Sequence, residues 1–378
     1  MAEGDGCLAT LLIGKISPKE LPNEGNEEVE SHNKLVLIPG LPNDLALQCL
    51  ARVPRRHHLN LRCVCTKWRD MVASESYYFL RKHLGLSEGW IYAFSRDYSE
   101  CLHWHILDPV SRTWKELPGM PGDCLQRYGV TCSVVERELY VMGGGAKFRD
   151  PTSEVYKFDP IKNEWSEAAP MEMARCNFVS SALSGRLYAV GGLGASAGPL
   201  TSWEVFNPET NQWFAREDPN VVPDLGESLV IDGKIYVRGG HVSARAAYMG
   251  SYAAVFDPVE SAWASVDNEL MKKWCGPTAV TESDVYMLDQ TFGIKLMVLD
   301  KDSGEWSRVG RFSPQSIRLP CRLVAIGKQL YVVGRGLKTL VLNTEKAGSG
   351  GGGVLVTSSI NGLPECEDVV LSCHVIEL

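Results

Sequence analysis

Cys101, His103 and His105 recur at every second position, so a strand through them sets three potential metal ligands along one face. All three lie on one run of chain, without the separated fourth ligand that a closed zinc site uses, and no metal is expected there. The twelve cysteines include no CxxC pair and read as free thiols of a reducing compartment. Cys63 and Cys65 act as small apolar residues, and His57 and His58, after Arg55 and Arg56, read as a solvated basic turn. The residues best suited to binding are cationic. Arg127, Arg175, Lys273 and Arg318 each stand thirteen positions before a tyrosine that ends a β-type run, with Pro223 at the fifth such place. Gathered at one mouth, with Lys147, Phe148, Arg149, His241 and Arg245 on nearby loops, they suit an acidic or phosphorylated protein segment through charge-assisted hydrogen bonds. The competing reading is that each arginine braces its own unit, because buried arginines are normally paired.

A repeat must position these residues. Asp108, Asp159, Asn207, Asp257 and Asp300 are each followed six positions later by Trp114, Trp165, Trp213, Trp263 and Trp306. Pro109, Pro160, Pro208 and Pro258 follow the first four directly and predict a turn after a strand. A second register is Tyr92, Tyr140, Tyr188, Tyr236, Tyr286 and Tyr331, separated by 48, 48, 48, 50 and 45 residues. Three of these runs lead into the glycine pairs Gly143-Gly144, Gly191-Gly192 and Gly239-Gly240. Six units of this length, each holding four short strands, predict a six-bladed β-propeller. The first unit begins at its tyrosine strand and lacks a strand before it. The run 369–376 has no blade of its own and is expected to complete blade one and close the ring.

Outside the repeats, residues 1–33 are polar and acidic and read as a disordered tail. Over 36–85, Leu45, Cys49 and Val53 share one helical face and Leu61, Val64, Trp68 and Met71 another, which predicts two or three short helices. The domains are then a small all-α unit over 36–85 and a mainly β propeller over 88–378. A net charge of -8 offers no concentrated basic surface for nucleic acid. No apolar run approaches a membrane span, so a soluble protein of cytoplasm or nucleus is expected.

The tyrosine run, double glycine, Asp-Pro turn and spaced tryptophan resemble the Kelch repeat. Leu41-Pro42-Asn43-Asp44-Leu45, then Cys49-Leu50, then the stretch from Leu61 to Arg69 with Val64, Cys65 and Trp68, resemble an F-box. Together they resemble the plant F-box/Kelch family. That resemblance implies a substrate-recognition subunit of a Skp/cullin/F-box ubiquitin ligase, its F-box on a Skp-type adaptor and its propeller on an unknown target. It implies that Leu41, Pro42, Leu45, Leu50, Val64, Cys65 and Trp68 build or face the adaptor interface. The alternative is a Kelch interaction scaffold outside the ubiquitin pathway. Asp302 to Trp306 resembles the Asp-box of sialidases, a structural turn there. No acid and tyrosine nucleophile accompany it, so neither catalysis nor a cofactor is expected.

Overall fold

The structure, a computed structural model, describes residues 36–146, 150–223, 225–239, 252–267, 269–344 and 355–378. The tail at 1–33 and the glycine run at 348–353 lie outside the described residues. The chain divides into a unit that reaches to Glu88 and takes in Leu378, and a second unit, Gly89–Glu377.

Four α-helices are found in the first unit among the described residues: α1 (Asn43–Ala51), α2 (His58–Arg62), α3 (Thr66–Ala73) and α4 (Glu75–His83). Pro42 stands at the N-cap of α1, where a missing amide proton interrupts no helical bond. The Asn43 side chain accepts from the Leu37 amide at 3.0 Å and ties the preceding segment down. Ser74 divides α3 from α4 by taking an extended conformation and capping the Tyr77 amide. The apolar period runs on across this break, which is why the sequence pattern counts fewer helices. Ala46, Leu50, Ala51, Leu61, Val72, Tyr77 and Tyr78 form the core of this unit.

The second unit holds six antiparallel four-stranded sheets among the described residues, the blades of a six-bladed β-propeller. Blade one pairs the C-terminal strand Val369–Glu377 with Gly89–Arg96, so its inner strand comes from the far end of the chain. The inner strands of blades two to six are Thr131–Val135, Val179–Leu183, Leu225–Ile231, Thr278–Val280 and Arg322–Ile326.

The repeated residues explain the blades. Asp108, Asp159, Asn207, Asp257 and Asp300 each turn a side-chain oxygen onto the amide two residues on, at 2.8 to 3.1 Å, and so form the turn into the outermost strand. Four residues after each, Arg112, Asn163, Asn211, Ser261 and Gly304 take positive φ. The tryptophan two places on lies across the strand pair from Leu107, Phe158, Phe206, Phe256 or Leu299. Trp165, Trp213 and Trp306 donate their indole N–H to carbonyls of Pro118, Ala169 and Leu270 in the preceding connections. The core is therefore spread between blades; Tyr188, Trp203, Phe256 and Trp263, for example, pack between blades three and four.

The glycine pairs mark where one blade meets the chain entering the next. Gly191 has φ +68°, and a Cβ there would stand 2.5 Å from the Val222 carbonyl oxygen. In blade five, Gln290 does the same work with its amide, which accepts from Cys321 N at 2.9 Å and donates to Cys321 O at 3.0 Å.

Candidate functional site

The helical unit is held from inside by a polar network. Arg81, almost fully buried, donates to the carbonyls of Ala51, Val53 and Leu86 and pairs with Glu88 at 3.0 Å. It thereby satisfies the carbonyl that ends α1 and two others, one just past α1 and one in the segment that follows α4. His58 sits beside it, its ring nitrogens 3.1 Å from Val53 O and 3.3 Å from Tyr78 Oη, and edge-on to Tyr77. Burial, reinforced by the positive charge of Arg81, pulls the His58 imidazole down to about 4. The folded unit thus holds His58 neutral, while the unfolded chain takes up a proton below about 6.5. Stability present above that pH is lost as pH falls toward 4, by about 3 kcal/mol in all. Thermal unfolding followed from pH 7 to pH 4 should show this loss in the native chain, and a His58→Gln variant should show a correspondingly shallower dependence.

Outside this network, the helical unit exposes apolar side chains. Pro42, Leu45, Val64 and Cys65 are exposed, Val64 by 60%. Leu41 and Trp68 are half-buried, and the Trp68 indole donates to Leu37 O at 2.8 Å. Leu50 is buried in the core and helps build the unit rather than its surface. Leu59 and Phe79, exposed by 49% and 68%, are further exposed apolar groups of this unit that lie outside the matched motif positions. Exposed apolar groups of this kind are a common feature of interaction surfaces.

The cationic set does not form the expected ring. Arg175 is fully buried, its guanidinium 2.6 Å from the equally buried Glu204 and bonded to Gly191 O and Ser202 Oγ. Glu204 also accepts from the amides of Glu172 and Met173, so the pair fastens the connection entering blade three to that blade's sheet. Arg127, 3% exposed, is paired with Glu154 in blade two. Lys273 belongs to a short helix, Glu269–Lys273, and reaches Glu305 at 3.3 Å in the turn that starts the outermost strand of blade five. The physical reason lies in the register. Seven residues before each tyrosine, the paired positions Ser133, Ser181, Leu229, Ala279 and Val324 are equivalent. Six residues further back the chain has left the strand, and each connection follows its own path. Lys147, Phe148, Arg149, His241 and Arg245 lie outside the described residues.

Arg318 is exposed, and it joins a rim that spacing did not reveal. Its guanidinium meets Glu367 at 2.7 Å, and Arg335 donates to the Glu367 carbonyl at 3.0 Å and to Tyr98 Oη at 2.8 Å. Arg335 also stacks on Tyr98, which is 76% exposed. Through the loop after Gly89–Arg96 the rim continues to Arg96, which stacks on Tyr128 and donates to Arg127 O. The Arg318 guanidinium holds Glu367 below the usual carboxylate range. Basic and aromatic side chains from blades six, one and two thus share one edge, a composition enriched at protein interfaces.

Cys101, His103 and His105 are otherwise engaged: His103 lies between Asp97 and Glu116, and His105 faces Ser95. Among the described residues no group of three or more His, Cys, Asp or Glu could hold a metal, and no helix is long and apolar enough to cross a membrane.

Residues 38–80 match the F-box domain model and residues 89–286 match the KLHDC2/KLHL20/DRC7 Kelch-repeats domain model. The chain is similar to the F-box/kelch-repeat protein SKIP4 of Arabidopsis thaliana, 36% identical, over 92% of this chain and 96% of that protein. It is also similar to the F-box/kelch-repeat protein At1g30090 of the same plant, 31% identical, over 81% of this chain and 78% of that one.

Proposed function

Since the chain belongs to the F-box/Kelch-repeat family, we propose that it is the substrate-recognition subunit of a Skp/cullin/F-box ubiquitin ligase. The reading is carried by one observation, an F-box and a Kelch propeller on the same chain. The helical unit binds a Skp-type adaptor through its exposed apolar side chains and reaches a cullin through that adaptor. The propeller presents the target, and the chain itself supplies no catalytic group. Co-elution of the purified full chain with a Skp-type adaptor and a cullin tests this. Absence of any complex would leave an interaction scaffold outside the ubiquitin pathway.

Target recognition is assigned to the rim of Arg96, Tyr98, Tyr128, Arg318 and Arg335, and its chemistry favours an acidic or phosphorylated segment. In the unbound chain Glu367 occupies Arg318 and Arg335, so an incoming acid exchanges with it. Arg318→Glu combined with Arg335→Glu should remove the proteins recovered with the native chain and leave adaptor binding unchanged. Recovery of the same proteins by the double variant would place the target elsewhere.

A further inference from the structure

The inner strands of all six blades line a central channel of about 390 Å³, near the lower end of the roughly 300–1,000 Å³ typical of small-molecule sites. Its wall carries the hydroxyls of Thr131, Ser180, Ser228, Thr278 and Ser372. Several are already engaged: Thr131 with Ser180 at 3.2 Å, Ser228 with Ser180 O at 2.9 Å, and Ser372 with His374 at 3.2 Å. Two charged side chains interrupt this wall, Glu227 from blade four and Arg322 from blade six. Glu227 pairs with Arg238, two residues past Tyr236, and Arg322 pairs with Val333, two residues past Tyr331. They occupy equivalent positions of their blades and so stand at one depth in the channel.

The two charges act on one another electrostatically, but no direct hydrogen bond or ion pair joins them among the described residues. Arg322 is anchored through Nε to Leu371 O, which leaves its two terminal nitrogens without a protein partner among the described residues. The Glu227 carboxylate has neither a hydrogen bond nor an ion pair among the described residues, although Arg322 and Arg238 both act on it electrostatically. Burial raises Glu227 above the usual carboxylate range. Glu227 and Arg322 are both half-buried, so a molecule in the channel can reach either charge. A cation supplied by a ligand complements the Glu227 carboxylate, and the free face of Arg322 suits an anion on the same molecule.

We propose that the channel binds a small zwitterion, a free amino acid in the simplest case, with its carboxylate on Arg322 and its ammonium group on Glu227. The site is separate from the rim and from the helical unit, and it does not depend on the ligase reading.

Thermal unfolding and calorimetry of the full chain with glycine, L-alanine and 4-aminobutyrate test the proposal, with propionate and propylamine as probes of a single charge. At least one zwitterion should raise the unfolding temperature, and neither single-charge probe should match it. Glu227→Gln should weaken that binding by about tenfold or more, the loss of one charge-assisted bond. It should also raise the unfolding temperature of the ligand-free protein, whereas removal of a structural brace would lower it. Arg322→Gln should weaken binding similarly. No shift with any of the three zwitterions, an equal shift with propionate, or undiminished binding by Glu227→Gln would each overturn the proposal. Co-elution with the Skp-type adaptor should be the same for Glu227→Gln and the native chain, which keeps this outcome distinct from that of the ligase reading.

Discussion

Arg175→Met should destabilise the propeller by about 3–5 kcal/mol, the cost of leaving one partner of a buried ion pair uncompensated. Arg175 and Glu204 are both 0% exposed, so water cannot replace the lost contact. Burial pulls the Arg175 guanidinium below its usual value, and Glu204 offsets that cost. Methionine fills much of the space but leaves Glu204, Gly191 O and Ser202 O short of their donor. Denaturant unfolding monitored by tryptophan fluorescence reads the effect. The double change Arg175→Met with Glu204→Leu should recover part of the loss, because no charge is left buried. Recovery should remain incomplete, since Glu204 also holds the amides of Glu172 and Met173. Unchanged stability of the single variant would refute the bracing role. Charge reversal at Arg175 is consequently no test of target binding, because it breaks the blade first.

Leu45→Glu combined with Val64→Glu should lower affinity for a Skp-type adaptor by about a hundredfold or more, the scale on which interface hot spots act. Both side chains are exposed in the isolated chain, so the exchange leaves the core of the helical unit intact. In the complex each would bring an unpaired carboxylate into an apolar contact, where desolvation is costly. Trp68→Ala is a poorer probe, since it also releases the indole bond to Leu37 O that holds the N-terminal segment. Titration calorimetry with a circular-dichroism check of helix content separates the two effects. A folded double variant that binds as well as the native chain would move the adaptor interface to another part of this unit, where Leu59 and Phe79 are the exposed apolar groups.

The architecture was legible because it is written in local, repeated chemistry. Asp or Asn makes the turn through its own side chain, and the tryptophan six positions later lies across the pair from a residue just before that turn. The helical unit was legible in the same way, although Ser74 divides it where the apolar period runs on. Residue type and spacing suffice wherever a role is carried out within a few positions along the chain.

What tertiary structure alone decided is which charges face outward. Arg127, Arg175, Lys273 and Arg318 share a spacing but not an environment, because that environment depends on Glu154, Glu204, Glu305 and Glu367, which no common period places. The rim of Arg335, Tyr98, Arg96 and Tyr128 joins residues more than two hundred positions apart, and it exists because the last and first blades are neighbours. Glu227 and Arg322 come to one depth of the channel for a related reason: the ring sets equivalent strand positions level with one another. Exposure and charge pairing are properties of the closed ring, and a one-dimensional pattern does not contain them.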